Sequence, residues 1–111
     1  MPSKPTASLF QDHDVRAALE QRWLALTRQE LPSVAAQRGW PIHLDHCFQR
    51  VLLDAACSTV WYDVITSRPA YRAAPDDLLN RAVDLAENVL NGEMDISELN
   101  RQSLRYRGKV G

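Results

Sequence analysis

The chain has 111 residues, 45% of them hydrophobic and 24% charged, with a formal net charge of -1. It is too apolar for a disordered segment and long enough to bury a core without covalent staples. A protein that coats nucleic acid with a uniformly basic surface is ruled out, although a local basic patch is compatible with this charge.

Residues 1–11 carry two prolines and small polar side chains without periodicity, so an irregular, flexible arm is expected, with Leu9 and Phe10 able to dock on the core. A helix is expected from Asp12 or Asp14, either of which can accept hydrogen bonds from the first turn. Val15, Leu19, Trp23 and Leu26 then recur on one helical face. Pro32 lacks an N–H, so it should break, kink or restart that helix, and the restarted piece should stop at Gly39.

Trp40-Pro41-Ile42 reads as a loop. The next helix should start between His43 and Asp45 and run to about Cys57, with Leu44, Phe48, Val51, Leu52 and Ala55 as its core stripe. Ser58 or Thr59 could cap a short helix through Trp61, Val64 and Ile65, ended by Arg68-Pro69. Pro75-Asp76-Asp77 is a helix start, with proline in the first turn and two acids at the positive end of the dipole. Leu79, Ala82, Val83, Ala86, Val89 and Leu90 keep the helical period until Asn91-Gly92 stops it. Asp95 with Glu98 matches a capping box for a last helix through Leu99 and Leu104 that ends near Gly108. No alternating strand pattern appears. The expected fold is all-α: a compact bundle of four to five helices over residues 12–107, with a short tail at 108–111.

Three features could carry chemistry. His43, Cys47, Arg50 and Asp54 step by four, three and four, which sets a base, a thiol, a cation and a carboxylate on one face beside His46. A first-turn cysteine gains thiolate character from the dipole, so a His–Cys nucleophile is conceivable. The plainer reading makes Asp45 a cap, Cys47 a core residue, and Arg50 with Asp54 a surface ion pair. Metal ligation by His43, His46 and Cys47 lacks a second ligand pair, so neither a metal nor a cofactor is expected.

The second feature is the basic C-terminal run holding Arg101, Arg105, Arg107 and Lys109, which follows a strongly acidic stretch over residues 76–98. Such a run resembles a phosphate-contacting arm, although cations also suit a helix C-terminus. Third, Trp61 and Tyr71 stand near Arg68 and Arg72, a combination that could stack a ligand ring or simply close the core.

Cys47 and Cys57, the only cysteines, would lie about 15 Å apart on one helix, too far for a disulfide. Reduced thiols in a cytoplasmic protein are expected. The first residues form no apolar leader, and no run approaches the ~20 apolar residues of a membrane span, so no membrane association is expected.

Asp45-His46-Cys47-Phe48, Trp61-Tyr62, Arg68-Pro69-Ala70-Tyr71 and the run at residues 99–109 together resemble a family of small microbial proteins whose members are often labelled GCN5-related acetyltransferases. The resemblance spans about residues 20–109. An acetyltransferase of that class carries a mixed sheet and a glycine-containing acetyl-CoA loop. Gly39, Gly92, Gly108 and Gly111 form no such loop, so no catalytic or cofactor residue is carried over.

The leading expectation is a helical binding module for nucleic acid or another polyanion, using Arg101, Arg105, Arg107 and Lys109, helped by Arg68 and Arg72. The alternative is a small enzyme or ligand-binding protein using His43, His46, Cys47, Arg50, Asp54, Trp61 and Tyr71. A third is a protein–protein adaptor or homodimer.

Overall fold

Helix α1 runs over Ser3–Ala25 in the computed structural model, which describes residues 3–109 and side chains from His13 onward. The backbone of residues 3–11 is therefore helical rather than an irregular arm. Pro5 falls in the first turn, where its missing N–H needs no partner. The expected docking of Leu9 and Phe10 lies outside the described side chains. Val15, assigned to the core face, is 64% exposed; contact with the core begins at Leu19.

Pro32 does not end this helix. The chain passes through a π-helical turn at Leu26–Glu30 and continues as α2 at Leu31–Ala35. Leu31 N–H donates to the Leu26 carbonyl five residues back. An ordinary helix would press the proline ring against the carbonyl of Arg28, four residues back, and the wider turn gives it room. Gly39, at φ +64°, then closes the segment as expected.

Helix α3 covers Asp45–Cys57, and Ser58 ends it in a left-handed conformation instead of capping the next element. Phe48, Val51 and Leu52 are buried as expected, whereas Leu44 precedes the helix and is 47% exposed. A 3-10 turn at Trp61–Asp63 buries Ile65 just after it and leaves Val64 exposed. Helix α4 is a single turn, Ala70–Ala73, entered through the cis Arg68–Pro69 peptide.

Helix α5, Asp76–Leu90, starts and stops where its sequence signals stand, with Gly92 at φ +82°. Helix α6, Ile96–Tyr106, is capped by Asp95, whose carboxylate accepts from Ser97 N–H at 2.9 Å. Glu98 does not complete the box; it turns to Arg101, 2.7 Å away.

The fold is all-α, and no strand occurs among the described residues. With α1, the π turn and α2 taken as one continuous helix, there are five helices among the described residues. Helix α3 lies centrally, against α5 on one side and α6 on the other, and α1 covers α5. One core joins them through Trp23, Leu26, Phe48, Leu52, Leu79 and Ile96. Arginines complete the corners: Arg81 donates to the Ala56 carbonyl at 2.7 Å and Arg38 to the Leu90 carbonyl at 2.7 Å, satisfying acceptors that helix ends leave open. Arg22 ties α1 to Glu87 of α5 and to Glu30. No described helix is long and apolar enough to cross a membrane.

Candidate functional site

A cleft of about 400 Å³ opens between the π turn, α3 and the loop leading into α4. Its polar wall is Arg28, His46, Gln49, Arg50 and Arg68; its apolar wall comes from Trp23, Leu53, Trp61, Pro69 and Tyr71. No carboxylate lines it. Among the described residues, none of its three arginines has an acidic group within ion-pair distance. Uncompensated guanidiniums facing an apolar wall favour a ligand that supplies negative charge.

Each arginine reaches the cleft by a different device. Arg28 sits on the π turn, whose hydrogen bonds span five residues, so it lines the same cleft as Trp23. Arg68 stacks on Trp61, its guanidinium carbon 5.3 Å from the ring centroid. Stacking uses the face of the guanidinium and leaves its edge N–H groups free to donate.

Arg50 is held by two neutral acceptors on α6: Nη1 donates to Ser103 Oγ at 2.8 Å and Nη2 to Asn100 Oδ1 at 2.9 Å. Gln49 is fixed through Thr27, its amide nitrogen donating to Oγ1 at 3.1 Å. Helix α4, which carries Tyr71, is clamped from α1. Arg16 donates to the carbonyls of Tyr71, Arg72 and Ala74 at 3.0, 3.2 and 2.8 Å, and to Asp76 and Glu20. Burial alone would lower the pKa of Arg16, but the bonds to Glu20 and Asp76 more than restore it and raise it overall.

Beneath the cleft lies Asp54, 0% exposed. Its Oδ2 accepts from Ser103 Oγ at 2.7 Å and Arg107 Nε at 2.9 Å; its Oδ1 accepts from Trp61 N–H at 2.9 Å and Arg107 Nη2 at 3.2 Å. The surface ion pair expected between Arg50 and Asp54 therefore does not form. Asp54 points inward and pairs with a residue 53 positions away. The bond to Asp54 raises the pKa of Arg107, outweighing the desolvation that opposes it. The same guanidinium lies over the Tyr62 ring, 5.4 Å from its centroid. Among the described residues, no buried side-chain nitrogen or oxygen lacks a hydrogen-bond partner.

The side chains that the sequence grouped are thus divided. His46, Arg50, Arg68, Trp61 and Tyr71 share the cleft, and Asp54 supports it from below. Cys47 packs against the core and does not line it. His43 borders a separate apolar trough beside Trp40. His46 Nδ1 stands 3.6 Å from Asp45 Oδ1, which instead accepts from the His46 backbone N–H at 2.7 Å. Arg72 lies over Tyr71 and is not part of the wall.

Of the C-terminal cations, Arg101 and Arg105 both approach Glu98, at 2.7 and 3.5 Å; Arg107 turns inward, and Lys109 is exposed. Trp23, Arg28, Gln49 and Leu53 were not singled out by sequence. A proline within an otherwise periodic helix was the one available signal for Arg28. Among the described residues, no group of three or more His, Cys, Asp or Glu is gathered as metal ligands. Comparison with protein-family models, curated proteins and solved structures finds no match for this chain.

Proposed function

We propose that this chain is a binding protein for a small anionic molecule with an apolar or planar body. The observation that carries this reading is the cleft itself: three arginines without carboxylate partners facing Trp61, Tyr71 and Leu53 across about 400 Å³. That volume suits a small-molecule site, which is typically ~300–1,000 Å³ and mostly apolar with a few convergent polar groups. Arg28, Arg50 and Arg68 would hold the anionic group, and Tyr71, Pro69 and Leu53 would cover the body. His46 at the rim and Gln49 would add hydrogen bonds.

Binding of nucleic acid through the C-terminal run is the competing reading. It is less favoured because Arg101 and Arg105 face Glu98 and Arg107 is committed to Asp54.

Titration of tryptophan fluorescence tests the proposal, since Trp23 and Trp61 both line the cleft. Benzoate and phenyl phosphate should perturb the emission saturably, whereas benzamide and phenol should not. Arg50→Met should weaken the anions roughly tenfold, the worth of one charge-assisted hydrogen bond, and Arg68→Ala should weaken them less. If none of these anions binds, the reading is wrong. Duplex binding that is insensitive to Arg50→Met but abolished by removing residues 105–111 would restore the C-terminal arm.

A further inference from the structure

We propose that the cleft selects a phosphate monoester over a singly charged carboxylate, and that Arg107 sets this preference by neutralising Asp54. The inference rests on the cleft being the ligand site and names the chemical class of its occupant.

The argument is one of charge. The lining residues supply three guanidiniums and no carboxylate. Arg28 and Arg68 are exposed and screened by solvent, whereas Arg50 is half-buried and counts most. A single hydroxyl links it to Asp54: Arg50 donates to Ser103 Oγ, and Ser103 donates to Asp54. Left alone, that buried carboxylate would cancel much of the field Arg50 projects into the cleft. It is not left alone, because Arg107 contacts both of its oxygens. The direct partners of Arg50 are then neutral, and its charge stays available to a ligand.

A carboxylate brings one negative charge and two oxygens. A phosphate monoester brings ~1.5–2 negative charges near neutral pH and three acceptor oxygens, enough for bonds from three separate guanidiniums. The phosphodiester of a nucleic acid carries a single charge and matches the site no better than a carboxylate does. The cleft's apolar wall, with Tyr71, Pro69 and Leu53, suits a compact planar body on the monoester.

Phenyl phosphate, benzoate and methyl phenyl phosphate share one ring and differ in charge and oxygen count, so their relative affinities at about pH 8, where the monoester is fully doubly charged, test the inference. Phenyl phosphate should bind roughly tenfold or more tighter than either of the others. Equal binding of benzoate or of the diester overturns the class while leaving the cleft as an anion site. Binding of none of the three removes the cleft as well.

Arg107→Gln should bring phenyl phosphate down roughly tenfold, toward benzoate, by releasing the Asp54 charge. The double variant Asp54→Asn/Arg107→Gln deletes both charges together and should recover the preference for the monoester. It also carries the test if Arg107→Gln does not fold. A double variant that folds and shows no preference would overturn the role given to Arg107.

Discussion

The guanidinium of Arg107, at the C-terminal end of α6, lies against the buried carboxylate of Asp54 in α3, with Nε 2.9 Å from Oδ2 and Nη2 3.2 Å from Oδ1. This two-point contact joins residues 53 positions apart and closes the end of α6 onto α3. Asp54 also receives Trp61 N–H and Ser103 Oγ, so four donors from the 3-10 turn and α6 converge on one side chain.

Removing Arg107 strands that charge. Arg107→Met should lower unfolding free energy by about 3 kcal/mol, the scale for breaking one side of a buried pair. Urea denaturation measures it. A loss under ~1 kcal/mol would mean that Asp54 finds water when the arginine is gone.

Arg16 offers a second, separable test. Arg16→Ala frees the carbonyls of Tyr71, Arg72 and Ala74 and should cost about 2 kcal/mol. Amide exchange should rise selectively at residues 70–76 while the α3 core stays protected. Arg16→Lys should recover little, because an ammonium is a point charge and cannot span three carbonyls and two carboxylates. Uniformly faster exchange across the whole chain would contradict this local role.

Gly92 isolates backbone strain from packing. A Cβ there would meet nothing within 4 Å, yet φ is +82°. Gly92→Ala should therefore cost about 1 kcal/mol through the left-handed conformation alone, read as a shift in denaturation midpoint with an unchanged slope.

Cys57 links stability to pH. Burial pushes its thiol pKa up, the Asp54 carboxylate pushes the same way, and Arg81 opposes them. A folded pKa raised above the unfolded one means the native state keeps its proton longer. The stability this supplies is present below the unfolded pKa and is lost as pH rises through the folded pKa. Cys57→Ala should flatten that alkaline decline, and native Cys57 should react with iodoacetamide at pH 7 more slowly than after unfolding. Equal rates in the two states would contradict the shift.

Several element boundaries were legible because one residue's chemistry decides them. Asp95 accepts from Ser97 N–H, Pro75 precedes α5, and Gly92 ends it, each by a rule that needs no distant partner. The pairing of Asp54 was not legible. Spacing places Arg50 one turn away, and only the packing of α6 on α3 brings Arg107 within reach. Arg28 escaped for a related reason: a 3.6-residue period does not group it with Trp23, and the π turn that does so is invisible to that period. Leu44 and Val15 show the opposite failure, since both fit an apolar stripe and both stay largely exposed.

The π turn also makes the first helix a rod with a built-in phase change. Each residue of an α-helix turns the chain by about 100° around the axis. A five-residue repeat where four would serve therefore offsets everything upstream of Leu26 from everything downstream of Glu30. Deleting a single residue within 26–30 would leave a helix of nearly the same length and the same composition. Its upstream part, with Arg16, Leu19 and Trp23, would then keep nearly its present orientation relative to α2, whereas closing the turn into a regular helix with every residue kept would dial it around by about a hundred degrees. In that second case Arg16 would swing off α4, and Trp23 would part from Arg28. At this turn, hydrogen-bond span and residue number together set orientation, so the chain should tolerate the loss of one position there better than the gain of one.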